Sequence, residues 1–128
     1  MAKLAFDPVD ATMSVADAAT ATPDITIQLV DGAGNDMTES RAVFAYLSKD
    51  ADGATICVDG TDTTEIAILT DGLLVETAAD IAGWLVSEAD GDIGVTVTVA
   101  STKTAYLVLV MPNGRLVISD AMTGYTSG

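Results

Sequence analysis

The side chains with the most chemical reach are carboxylates in short turns. Asp50, Asp52 and Gly53 form one such turn, and Asp90, Gly91 and Asp92 another. Carboxylate oxygens spaced this closely are calcium-ligand chemistry. An EF-hand loop, however, alternates its oxygen ligands before a glycine, closes on a distant bidentate Glu and sits between helices. Here Gly53 follows the second Asp directly, and the flanking residues read as strands. Neither turn is an EF-hand. A looser calcium site between strands stays open beside a simpler reading. Asp accepts turn hydrogen bonds, and Gly supplies positive φ. No metal ligand set and no cofactor is assigned.

Nucleophilic chemistry finds little support. The chain has no His, so a Ser-His-Asp arrangement cannot be built. Its one Cys, Cys57, lies in the apolar run 54–58, without the cationic neighbour that a thiolate needs, and reads as a small buried hydrophobe. Gly32-Ala33-Gly34 lacks the third glycine and the following helix of a dinucleotide fingerprint. No pair among the 19 carboxylates can be singled out for acid–base work. The expectation is a protein that is not an enzyme. Trp84 and Tyr106 could form a platform for a sugar or a partner. The alternative, which a single Trp in a β domain favours, is that Trp84 packs in the core.

The elements that must position these residues are short strands. At 128 residues the chain is long enough for one domain, and 49% hydrophobic content is ample for a core. Nineteen acidic against five basic residues give a formal charge of −14. That argues against the phosphate backbone of nucleic acid and against an anionic membrane surface. It serves solubility, or it holds copies apart until a partner with basic patches is met. No apolar run reaches the roughly 18 residues of a membrane span. Lys3 is followed by a mixed segment with Asp7, Pro8 and Asp10, unlike a secretion signal, so synthesis in the cytoplasm is expected.

Residues 1–23 are rich in Ala, Thr and Asp and read as an extended N-terminal arm, with a short helix over 13–21 as the local alternative. The arm is either a disordered tail or a docking device for a neighbouring subunit, with Leu4, Phe6 and Val9 as apolar anchors. From Ile25 the pattern changes. Ile25, Ile27 and Leu29 alternate with polar positions, as do Ile93, Val95, Val97 and Val99. The runs 41–48 and 104–111 are apolar on both faces and read as central strands. Residues 55–58 read as a short strand, and Asp71-Gly72 as a hairpin turn between 65–69 and 73–76. Gly83, inside the strand 81–87, marks a bulge or a close backbone approach. Asn113-Gly114 reads as a type I′ hairpin turn, because both residues tolerate positive φ. Turn signals every ~8–12 residues predict an antiparallel β-sandwich of immunoglobulin type, in architecture only because the Cys…Trp…Cys signature of antibody domains is absent, with a small barrel as the main alternative. The expected organisation is an arm over 1–23, an all-β Ig-like sandwich over 24–119 and a polar C-terminal tail over 120–128.

Several of these segments resemble small Ig-like virion proteins of tailed bacteriophages. The similar features are ITIQLVDGAGND from Ile25, the strand–Asp71-Gly72–strand step, LVSEADGD from Leu85, and TKTAYLVLVMPNGR ending at Arg115. The resemblance implies a structural role on the virion and no catalytic residues. The expected function is capsid decoration, that is, a cement protein that binds the assembled shell and stabilises it. Its expected partners are the major capsid protein or other virion proteins, with homo-oligomers on the particle. A tail or neck subunit (tube, adaptor or terminator) and an Ig-like host-adhesion module are the alternatives. Leu4, Phe6 and Val9 are the expected anchors, and Arg41 and Arg115, the chain's two arginines, the expected ion-pairing contacts.

Overall fold

The computed structural model describes residues 10–16, 22–57, 63–78, 81–100, 103–112 and 114–123. Among them no helix occurs, and therefore none long and apolar enough to cross a membrane. The strands are β1 (Asp10–Ala16), β2 (Asp24–Val30), β3 (Ala42–Ser48), β4 (Thr63–Thr70) and β5 (Leu73–Ala78). They continue with β6 (Ala82–Val86), β7 (Asp92–Val99), β8 (Thr104–Val110), β9 (Leu116–Ile118) and β10 (Met122–Thr123). All pairings are antiparallel. One sheet has the order β1-β2-β7-β4. The other runs β10-β8-β3-β6-β5, with β9 also paired to β8. Two antiparallel sheets enclosing one core make the all-β, Ig-like sandwich that the strand spacing predicts.

The core follows from period-two burial. Ile25, Ile27 and Leu29 of β2 and Ile93, Val95, Val97 and Val99 of β7 fill it from the first sheet. Val43, Ala45 and Leu47 of β3, Leu85 of β6 and Ala105, Leu107 and Leu109 of β8 fill it from the second. β3 and β8 are central, as their two-faced apolarity requires. Cys57 is buried within the same cluster.

Five expectations change. Asp10–Ala16, inside the segment read as an arm or a helix, is strand β1, paired residue for residue with β2 from Asp10↔Val30 to Ala16↔Asp24. Ala11, Met13 and Val15 turn toward the core; the alternation is real but rests on small and mixed residues. At the other end Met122, placed in a polar tail, is fully buried in β10 opposite Ala105. The described sandwich therefore extends to both sides of 24–119.

Asp71-Gly72 is not a hairpin turn. β4 pairs with β7 and β5 with β6, so this corner passes the chain from one sheet to the other. Both residues have positive φ (55° and 121°), and Asp71 O accepts the Gly94 N–H. Residues 55–57 form only an isolated bridge, Ser48↔Ile56, and Val58 lies outside the described residues.

The β8–β9 turn also differs from type I′. Met111 N–H bonds Arg115 O, Gly114 N–H bonds Met111 O, and Gly114 has φ 88°. This is a three-residue connection with Gly114 in the left-handed region. Pro112 explains it, because its fixed φ suits the second position of a type I turn. Asn113 lies outside the described residues.

Candidate functional site

Side chains alternate across a sheet, so every second residue of β5, β6, β3, β8 and β9 points away from the core. The register aligns them in one row. Val75 faces Trp84, Trp84 faces Phe44, Phe44 faces Val110, and Val110 faces Leu116. All five residues are apolar, on the outer face of the second sheet. Leu73, Val86 and Ala42 form a second apolar row beside it. In a chain of charge −14 these two rows contain no charged residue.

Half of this face is covered. Beyond the row, Tyr46 and Val108 sit under the turn that follows β3. Tyr46 Oη donates to Gly53 O at 2.8 Å, and a Cβ on Gly53 would lie 3.5 Å from Val108 and 3.6 Å from Leu116. Burial, followed by the charges of Asp50 and Asp52, raises the Tyr46 pKa. The uncovered half centres on Trp84, which is 45% exposed, contrary to the core position expected for it. Its ring meets Phe44 edge-on, at a centroid distance of 5.5 Å and an interplanar angle of 70°. Rings at that angle do not make a flat sugar platform. Tyr106 pairs with Ser48, two strands over and four residues along from Trp84. It lies roughly 10 Å across and 13 Å along the sheet from Trp84, too far to share one platform.

The turn that covers the face is fastened by Asp50. Its Oδ1 accepts the Ser48 hydroxyl at 2.9 Å and the Ala54 and Thr55 N–H groups at 2.8 and 3.4 Å. Burial works to raise the Asp50 pKa. Hydrogen bonds from Ser48, Thr55 and the Ala54 backbone outweigh it and hold the pKa at about 2. The carboxylate thus does turn chemistry. Among the described residues no group of three or more Cys, Asp or Glu side chains could hold a metal ion.

The strand directions bring the connections β2–β3, β4–β5, β6–β7 and β8–β9, with the start of β1, to one end of the sandwich. This end is acidic, carrying Asp10, Asp31, Asp36, Glu39, Asp71, Glu88, Asp90 and Asp92. The Glu88 pKa is raised, first by the Asp71 charge; that of Asp92 is raised by burial and then by Asp90. Arg41 and Arg115 are at the same end. Arg41 Nη1 pairs with Glu39 at 3.3 Å, and Arg115 Nη2 with Asp10 at 3.5 Å. Each arginine is thus paired with a carboxylate of its own chain at this end of the sandwich. Leu4, Phe6 and Val9 lie outside the described residues.

Sequence reasoning missed the row itself. Its members come from five strands spread over residues 44–116, and only pairing register aligns them. It also missed Ser48, Ser87 and Ser119, the buried polar side chains among the described residues. Each stands at or beside a strand end, where its hydroxyl bonds backbone: Asp50 N–H to Ser48, Arg41 N–H to Ser87, Leu107 N–H to Ser119.

No family model matches the chain, and no curated protein matches it. Among solved structures it is similar to the cohesin module of a family 33 glycoside hydrolase from Clostridium perfringens. The TM-score is 0.47 at 14% identity, covering 94% of this chain and 99% of that one.

Proposed function

We propose that this chain is a non-catalytic docking module, a virion structural protein that decorates and cements an assembled capsid. The observation that carries the docking reading is the Val75–Trp84–Phe44–Val110–Leu116 row. A contiguous, uncharged apolar surface on a strongly acidic chain has a solvation cost that a partner relieves. The row spans about 20 Å at the usual inter-strand spacing, a patch of a few hundred Å². A specific interface buries on the order of 1,000 Å² or more, so a partner would reach beyond the row. The arm residues Leu4, Phe6 and Val9 and the arginine-bearing end are the proposed additional contacts. The capsid assignment rests on the resemblance to virion proteins. A protein that binds assembled shell better than free subunits stabilises it by mass action.

A tail or neck ring subunit is the second reading, favoured by the position of β5 as the outermost strand of the second sheet among the described residues. Host adhesion through stacked sugars is disfavoured by the crossed Phe44 and Trp84 rings. The deciding experiment is the copy number of this protein in purified virions, by quantitative mass spectrometry against the major capsid protein. A simple ratio amounting to hundreds of copies, located on the shell by imaging, supports decoration. A few dozen copies or fewer, or a location in the tail, moves the assignment to tail or neck. Absence from the particle overturns the virion reading.

A further inference from the structure

One side of the sandwich is built from a single stretch of chain, residues 63–78. Among the described residues β4 ends the first sheet there and β5 the second, joined through Asp71-Gly72. A cleft of about 440 Å³ separates them, with Ile66, Ile68, Leu73 and Leu74 in its walls beside Glu65 and Glu76. The three most exposed large apolar side chains of the described residues are on these two strands: Leu73 at 64%, Val75 at 57% and Leu69 at 53%.

Sheet edges are normally blunted by bulges, prolines, charges or short strands. β4 has two register shifts, and the β9–β10 edge is interrupted between Ile118 and Met122. β1 opens on Asp10, held in an ion pair. β5 has one shift, between Glu76 and Ala78, which leaves Leu73 to Glu76 regular. It has no Pro or Lys, and its one charge is Glu76.

We infer that β5 pairs antiparallel with β5 of a second copy across a two-fold axis, continuing the second sheet from one molecule into the other. The strand is self-complementary in one register. With Leu74 opposite the second copy's Leu74, Leu73 meets Val75 twice on the outer face, and Glu76 meets Gly72. Shifting by two residues sets Leu74 against Glu76. A further shift sets Glu76 against Glu76, and like charges directly opposite are destabilising. An axis perpendicular to the sheets also brings β4 beside its twin, adding Leu69 and Ile68. The eight residues of β4 and six of β5, with the corner between them, approach the roughly 20 residues a side of a standard interface. A second copy fits better than a basic partner, because this surface offers apolar side chains and little charge.

Two copies of charge −14 repel elsewhere, and salt screens that repulsion. The dimer therefore tightens with salt, opposite to an ion-paired complex. Sedimentation equilibrium of the full chain at about 0.05 M and about 1 M NaCl tests it, the Debye length falling from ~14 Å to ~3 Å. The expected result is a mass near twice 13.0 kDa at high salt, with a dissociation constant at least about tenfold weaker at low salt. The double variant Leu73→Glu/Val75→Glu, both positions exposed, stays folded by circular dichroism and monomeric at both salts. Leu116→Glu, on the same face but the opposite edge, still dimerises. A folded wild type that stays at 13.0 kDa throughout, or a double variant that dimerises like the wild type, overturns the proposal. Trp84→Ser separates it from the docking reading, since it leaves the dimer intact while particle binding is lost.

Discussion

Trp84 stands directly across the β3–β6 ladder from Phe44, its ring edge-on to the phenyl at 5.5 Å. Such a pair contributes about 0.5–1.5 kcal/mol beyond its area burial. Because Trp84 is half exposed, Trp84→Ser is expected to lower unfolding free energy by only about 1–2 kcal/mol, read by urea denaturation with an unchanged m-value. A loss above roughly 4 kcal/mol would make the residue a core element and not a surface one.

Gly83 lies close against the β5 backbone. A Cβ there would lie 2.6 Å from Val75 O and 2.9 Å from Glu76 Cα, backbone atoms that cannot rotate away. Gly83→Ala is expected to destabilise by about 1–3 kcal/mol and to loosen β5 selectively. Hydrogen exchange should show faster β5 amides with β2 and β7 of the other sheet unchanged; an equal change in all three strands would contradict this.

Ser119 bridges the gap between β9 and β10. Its Oγ accepts the buried Leu107 N–H at 2.9 Å and donates to Asp120 O at 2.9 Å. Ser119→Ala leaves that N–H without its acceptor, at an expected cost of about 1–3 kcal/mol. Ser119→Thr, which keeps the hydroxyl, should recover much of the loss in a thermal melt.

Stability should depend on pH with two limbs. Glu88 and Asp92 are raised above their ordinary values of 4.5 and 3.8, so just above those values the folded chain binds more protons than the unfolded. Their contribution to stability therefore falls as pH rises through that range. Asp50 is lowered from 3.8 to about 2, so between those values the unfolded chain binds more protons. Its contribution is full above 3.8 and is lost as pH falls through 2. The melting temperature should rise as pH drops from neutral into the mildly acid range, then fall. Asp71→Asn should flatten the first limb, and Asp50→Ala the second. Parallel curves for wild type and variants would contradict the assignment.

Much of the sandwich was legible in the sequence. β2 and β7 announce themselves by clean alternation, and β3 and β8 by apolarity on both faces, which only a central strand requires. What escaped was set by partners distant in the chain. β1 has the alternation of Ala11, Met13 and Val15, yet its small residues carry little signal until β2 lies beside them. Asp71-Gly72 has the same local chemistry whether the chain folds back or crosses to the other sheet. Here β7 and β6 claim the two flanking strands. Trp84 was expected in the core from its residue type alone. Its parity with Leu85, which is buried, puts it outside. The candidate face was illegible for the same reason, since no window of sequence contains it.

The most direct test of the docking account is a binding isotherm on purified capsid shells stripped of this protein, comparing wild type with Trp84→Ser. The account predicts saturation of the wild type at a simple ratio to the major capsid protein. It predicts a loss of about tenfold or more in affinity for the folded variant, equivalent to roughly 1.4 kcal/mol. Equal binding by both proteins, or no binding by the wild type, would contradict it.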